Sequence, residues 1–568
     1  MKKRKLIAVL LCLVLLLPVA VACNNGTGNS TDSAPPASTN QTSSEAPASD
    51  AGTQSSPASP APTISVEPPK PPVDPQVQRD TLTIAVESDA GTLNPGYMAR
   101  GLYTAIECVY EPLWDYSETR GMIPVLMDSY EEVAEDHWIV HLKQGIKFSN
   151  GNPLTADDVI FSLDYWRTTG SNAVRVQSID ADRTAKIDDY TVDMYTPGYY
   201  LFHLTAASMF LIFDSESFDE TDIVTNPVGT GPYAVKEYVT NSHLFLERRD
   251  DYWGPPPEIQ YLNFRVIAEP SQIVNAISTN TIDIGRVQLA DYAYVSGLPG
   301  FNMSSRNTGG GVQIGFNAGR KGYFNYFDKD PEKVKEARYA VIHAIDPQVI
   351  IDICYYGIGR EMRCYSPDFC IDWEPAFDDL HPTYSIGYDV ELARQYAQSS
   401  GLAGQTIRLM TNGLPNMRTL AEIIQSMLSE IDVNVEILNL DVATYQTAQY
   451  DAEGDYDIRC TEGIAPNWRI CDGIINSVRY SAANSAPGAF PDNEHYLEVA
   501  PLCISTYDDA LRREYLIETL YTFVDNALAY AVCMSETAYA ISSDIDMSTV
   551  NYNLSSGELR LQDMLWAS

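Results

Sequence analysis

The chain has 568 residues, with 76 acidic and 37 basic side chains and a formal charge of −39. A field of that sign repels nucleic acid and anionic membrane surfaces, which excludes both as partners and says nothing of the fold. Roughly 490 residues follow the N-terminal region, too many for one hydrophobic core, so two or more lobes are expected.

Lys2, Lys3, Arg4 and Lys5 form a positive start, and Leu6 to Val19 is almost wholly apolar. That run is too short, and too closely followed by small residues, for a membrane span. It ends in VAVAC, small residues directly before Cys23. The pattern resembles the lipobox of bacterial lipoproteins, with Ala20 where leucine is more common. It implies a signal peptide over residues 1–22 and a lipid anchor on Cys23; the alternative is an ordinary signal peptide with an incidental cysteine. Cleavage would take the charge to −43. Residues 23–79 are Ser, Thr, Pro, Ala, Gly, Gln and Asn with hardly an aliphatic side chain. Such a segment cannot offset its ordering entropy, so a disordered tether is expected. Its length suits a thick wall and favours a single-membrane bacterium, with the body on the outer face of the cytoplasmic membrane.

Along the body, TLTIAVES alternates like a strand and GTLNPG ends it in a turn. HWIVHLKQGIKFSNG reads as two short strands closed by Asn-Gly. His137 and His141 share a face there, as a surface or packing pair or as two metal ligands. PLTADDVIFSLDYW reads as a helix with Thr155 at its N-cap. NPVGTGPYAVKEY, Asn226 to Tyr238, has two glycines around a threonine. A phosphate loop needs consecutive N–H groups at a helix N-terminus; Pro232 supplies none, and YAVKEYV alternates as a strand. The stretch is therefore a turn feeding a hairpin whose other arm is HLFLERR.

SQIVNAISTNTIDIG reads as a short helix entering a strand, and DPEKVKEARYAVIHAIDPQVIIDICYYG as two helices, Pro347 starting the second. GYDVELARQYAQSSG and NMRTLAEIIQSMLSEID are helical, NVEILNL is a strand, and DALRREYLIETLYTFVDNA is a long helix. LAYAVCMSETAYAI reads as one late apolar strand. The mixture is an α/β architecture. Without Cys12 and Cys23 eight cysteines remain. An even set permits disulfides outside a cell, with Cys364 and Cys370, and Cys460 and Cys471, close in sequence; in a reducing host they are small buried hydrophobes. No CxxC pair occurs and the seven histidines are scattered, so neither a metal site nor a cofactor is expected.

The order VYEPLWDYSETRGMIPVLMDSYE, HWIVHLKQGIKFSNGNPLTADDVIFSL, NPVGTGPYAVKEY, LERRDDYWG, NTIDIG, IGFNAG, VKEARYAVIHAIDPQVII covers about Thr81 to Ile545. It resembles the family 5 extracellular solute-binding proteins, substrate-capturing lipoproteins of peptide- and nickel-type ABC importers. The resemblance implies a two-lobe periplasmic-binding-protein-like fold (type II, large class) with a two-strand hinge and an inter-lobe ligand cleft. Lobe 1 would be residues 80–308 with a return at 526–568, and lobe 2 residues 309–525.

By the same resemblance, Tyr97 lies in a cleft-lining segment and Asn317 near the hinge crossing, and both are candidate ligand-binding residues. In peptide-binding relatives a lobe-2 loop carries an aspartate for the ligand's α-amino group. Here the region reads YDIRCTEGIAPNWRICDGIINS, with Pro466 and Asn467 about where the aspartate is expected. Glu462 and Asp472 are the carboxylates that could replace it, Trp468 offers an aromatic face, and Arg459 or Arg469 could meet a carboxylate. All of these can equally be ordinary loop residues, with Trp468 packed as core. A Cys460–Cys471 disulfide would restrict that loop. The resemblance implies capture of an oligopeptide or dipeptide-like solute by a monomer that delivers it to permease subunits in the membrane. An oligosaccharide or metal chelate as ligand, or a surface sensor or adhesin role, are the alternatives. There is no GxSxG, HExxH or Walker lysine, and no enzyme is expected.

Overall fold

The computed structural model describes residues 79–568 apart from 90, 98–101, 118–120, 170–175, 177–178, 197–209, 308–309, 320, 327–328, 363–369, 371, 378, 384–386, 450, 452–453, 463–492 and 554–556. The leader, Cys23 and the tether lie outside these residues. The first strands in chain order are β1 (Thr81–Val86), β2 (Trp114–Ser117), β3 (Gly121–Pro124), β4 (Met127–Ala134), β5 (His137–Leu142), β6 (Ala185–Asp188) and β7 (Thr191–Tyr195). Then come β8 (Tyr233–Val239), β9 (His243–Arg248), β10 (Tyr261–Val266), β11 (Ile284–Val287), β12 (Phe301–Arg306) and β13 (Gly311–Phe316). The last are β14 (Gly359–Glu361), β15 (Thr406–Thr411), β16 (Asn434–Asn439), β17 (Ile458–Glu462), β18 (Ala529–Ser535) and β19 (Thr537–Ser542).

Two large sheets organise them. One has the order β12-β19-β11-β1-β10-β9-β8, the other β14-β18-β13-β17-β15-β16. A four-stranded sheet, β4-β5-β7-β6, and the β2-β3 hairpin attach to the first half of the chain. Apolar side chains divide along the same line. One buried cluster takes residues only from Val312 to Met534; another takes Leu82 to Ile284 and Ile541 to Met564. Two separate cores, each with its own sheet, are what hydrophobic burial yields for a body this long.

Local chemistry accounts for most elements. Thr155 precedes the helix Ala156–Thr168, and its amide donates to the Asp158 carboxylate at 2.7 Å. Asp330 and Asp346 cap the helices Pro331–Ala344 and Pro347–Cys354, each with proline in its first turn. β5 alternates half-buried and buried along its length. After it, Lys147 makes only an isolated bridge to Pro153, so the expected second strand is not formed.

The Asn226–Tyr238 stretch forms the expected turn and hairpin, β8 pairing antiparallel with β9. Its glycines are required by close approach. A Cβ on Gly231 would lie 2.6 Å from the Cys108 carbonyl oxygen, and one on Gly229 would be closer still to that of Val109. Both peptides thus rest on the end of the helix Tyr103–Val109. Arg249 locks them there, donating to the carbonyls of Gly229, Gly231, Lys147 and Phe148.

Candidate ligand cleft and hinge

The chain passes from the first large sheet to the second between β12 and β13, and returns between β18 and β19. LAYAVCMSETAYAI is therefore two strands, not one, and the sequence-based return at residue 526 moves to Glu536. β18 pairs with β13 and β14, whereas β19 pairs with β11 and β12. The two crossings are fastened to each other. The Asn307 side-chain amide donates to the Ser535 carbonyl at 2.8 Å, and the Ser535 amide donates to the Gly310 carbonyl at 3.2 Å. A Cβ on Gly310 would lie 2.5 Å from the Ser535 hydroxyl, so a larger residue there would have to displace that side chain. Two adjacent crossing segments between separate cores have the arrangement of a hinge. Neither Asn307 nor Ser535 stood out in the sequence; the Gly309-Gly310-Gly311 run beside Asn307 was the available signal.

The expected site residues fall into three groups. Tyr97 is 53% exposed, on a turn where its amide donates to the Asn94 carbonyl at 3.2 Å. The Asn94 side chain in turn donates to the Tyr165 hydroxyl at 2.7 Å. Tyr165 packs edge-on against Phe213 and Phe218, so a firm base presents an open ring. Glu462 ends β17 and accepts from Asn416 at 2.7 Å. It is the last described residue before segment 463–492. Trp468, Arg469, Cys471 and Asp472 belong to that segment, outside the described residues; Cys364, in 363–369, lies outside them too.

Asn317 and Arg459 are placed differently. Asn317 is fully buried; its amide nitrogen donates to the carbonyls of Tyr456 and Gly454 at 2.6 and 3.0 Å, and its oxygen accepts from the Gly319 amide. Both amide hydrogens are used inside lobe 2, so Asn317 staples the end of β13 to the turn before β17 rather than facing a ligand. Arg459 is 6% exposed, lies across Gly315 of β13 and donates to Gln449 at 3.0 Å. Its guanidinium is held inside the lobe, not presented to a solute carboxylate.

Cys460 lies differently from a loop cysteine. Alternation along β17 turns it into the lobe-2 core, where it is a free thiol; its suggested partner Cys471 lies outside the described residues. Cys370 is buried in the same core, and its suggested partner Cys364 lies outside the described residues. Burial pushes the Cys503 and Cys533 thiols up to about 12, and raises those of Cys108 and Cys460 as well. These groups stay protonated near neutrality and behave as buried hydrophobes. His137 meets Asp193 and stacks on Tyr195, and His141 bonds Glu131 at 3.3 Å. Among the described residues no group of three metal-binding side chains occurs.

Lobe 1 also encloses a cavity of about 340 Å³ between the helix Tyr103–Val109, the 252–258 loop and the C-terminal segment. Three of its carboxylates are met by its own walls. Glu111 accepts from the Tyr252 hydroxyl at 2.7 Å and the Trp253 indole at 3.0 Å, and Asp115 and Asp563 pair with Arg560. Burial raises the Glu111 carboxyl above its usual range, against those hydrogen bonds. Those paired carboxylates hold the wall together, while the buried Tyr110 hydroxyl beside them has no hydrogen-bond partner among the described residues.

The profile of the bacterial extracellular solute-binding proteins, family 5 Middle, matches residues 121–482. The chain belongs to this family. It is 24% identical over 409 residues to the nickel-binding periplasmic protein of Escherichia coli (strain K12), covering 66% of this chain and 73% of that one. To the dipeptide-binding protein of the same organism it is 25% identical over 425 residues, covering 66% and 75%. The crystal structure of the ABC transporter substrate-binding protein CtaP from Listeria monocytogenes has the same fold, with a TM-score of 0.72 at 21% identity over 86% of this chain and 100% of that one. Family 5 proteins bind small-molecule or peptide ligands and work with ABC permeases, and these relatives are binding proteins, not enzymes. The fold is accordingly that of the periplasmic solute-binding proteins.

Proposed function

We propose that this family 5 protein is a lipid-anchored receptor on the outer face of a bacterial cytoplasmic membrane. It captures an oligopeptide or dipeptide-like solute between its lobes and, as a monomer, hands it to an ABC permease. The observation that carries the reading is the division of the body into two sheets and two cores, joined at a fastened double crossing beside Asn307 and Ser535. Such a body exchanges solvent for ligand by bending at one place. Tyr97 from lobe 1 and Glu462 from lobe 2 are the described residues assigned to the ligand, with Trp468, Arg469 and Asp472 following Glu462 in the chain.

The nearly equal likeness to a nickel-binding and a dipeptide-binding relative favours a metal chelate as the second reading. Native mass spectrometry of the full mature protein, purified without added ligand, separates them. Retained masses that fragment as peptides support the first reading. A retained metal complex, or a sugar, overturns the peptide assignment and leaves capture between lobes intact. Anchoring is tested by the mass of the mature N-terminus, which must carry diacylglycerol on Cys23.

A further inference from the structure

Apart from the hinge, a direct side-chain hydrogen bond joins the two lobes. The Tyr507 hydroxyl of lobe 2 donates to the Glu132 carboxylate of lobe 1. Both ends rest on ordered elements. Glu132 lies on β4, paired with Trp138 of β5 in the four-stranded sheet, which shares no strand with either hinge sheet. Tyr507 immediately precedes Asp508, which caps the helix Asp509–Asp525 by accepting from the Leu511 amide. Arg512 on that helix donates back to the Thr506 carbonyl at 3.0 Å. Leu289, just after β11 of lobe 1, packs against the core of lobe 2. The lobes are thus in contact at an apolar point and at a polar one, and the polar one is open to water, Tyr507 being 45% exposed.

We infer that Tyr507 and Glu132 form a clasp that sets the ratio of open to closed lobes before ligand arrives. The inference rests on the two-lobe hinge reading above and adds regulation of the same cleft. A bond present only when the lobes are together stabilises that arrangement and no other, which is the requirement for shifting a two-state population. Being solvated, it is an adjustable increment, not a lock. Its loss is expected to lower the closed population by roughly two- to tenfold. Ligand affinity follows the closed fraction, so Tyr507 and Glu132 would tune affinity without touching the solute.

The test is single-molecule energy transfer in the ligand-free full mature chain. Dyes are placed at Thr240 in lobe 1 and Glu436 in lobe 2 through bioorthogonal side chains, and Tyr507→Phe, Glu132→Gln and the double variant are compared with the parent. The clasp predicts the same loss of closed molecules in each single variant, no further loss in the double, and an unchanged melting temperature. Two distances whose populations do not move in the variants, or losses that add in the double, overturn the clasp and leave the hinge standing. One distance in every protein, including the parent, overturns the hinge reading and the clasp with it.

Discussion

Lobe 1 and lobe 2 each bury an arginine and meet its guanidinium with main-chain carbonyls, yet the two arginines hold different things. Arg249 gathers the carbonyls of Gly229, Gly231, Lys147 and Phe148 and keeps Asp251 beside it at 3.1 Å, pinning a turn to the end of a helix. Arg338 is fully buried, donates to Phe324, Asn526 and Ala527, and lies 4.9 Å from the centre of the Tyr326 ring. Asn526 and Ala527 follow the helix Asp509–Asp525 and precede β18. A cation there complements the carbonyl end of that helix and fixes the strand that enters the hinge. The lesson is that the lobe-1 arginine fixes a turn within its own lobe, whereas the lobe-2 arginine fixes the foot of a crossing strand.

The first way to break this contrast is Arg338→Ala. It removes a buried cation, opens a void and strands three carbonyls, and is expected to destabilise lobe 2 by about 4 kcal/mol. Hydrogen exchange checks it: amides of β13 and β18 should lose protection while those of β1 and β10 keep theirs, and uniform loss would deny the lobes separate stability. Gly231→Ala is the counterpart in lobe 1. The added methyl group meets the Cys108 backbone, at an expected cost of about 2–3 kcal/mol read in β8 and β9. If Gly231→Ala melts like the parent, the turn is not packed as described.

Much of this was legible in the sequence, for physical reasons that also mark the limit. Asp330-Pro331 and Asp346-Pro347 announce helices because capping and proline geometry are local. The strand β5 shows itself through alternation, since one face is buried. β13 and β18 are buried at every position, so they carry no alternation, and β18 merges with β19 into a single apolar run with only Glu536 between them. That is why the return crossing read as one strand ten residues too early. Asn317 looked like a cleft residue because its partners, Gly454 and Tyr456, lie far along the chain. Cys460 looked like a loop cysteine because its facing depends on the register of β17 against β13, and register is not written in one strand.

Asn317→Ala sharpens that last distinction with a smaller effect. It should lower stability by about 1–3 kcal/mol, because buried groups lose their partners, and leave the affinity for a bound solute unchanged in calorimetry. A large loss of affinity at unchanged stability would return Asn317 to the cleft. The smallest effect is on pH. Burial lowers the proton affinity of His343 in lobe 2, against its contact with the Gly387 carbonyl and the charge of Asp389. The folded lobe keeps it neutral while the unfolded chain takes a proton near about 6.5, so lobe 2 loses stability as pH falls below that value. Glu111 in lobe 1 is raised by burial, so its unfavourable contribution fades as pH falls through its folded value. Acidification from pH 7.5 to 5.5 should therefore cost lobe 2 protection before lobe 1, and the reverse order would contradict the assignment of these two groups.

Two rigid lobes closing at Asn307 and Ser535 are tested most directly by small-angle X-ray scattering of the full mature protein. One sample keeps whatever solute it was purified with. The other is stripped by partial unfolding and refolding, then given a mixture of short peptides. Stripping should increase the radius of gyration, and the peptides should restore the smaller value. Identical scattering from all three samples would contradict hinged capture.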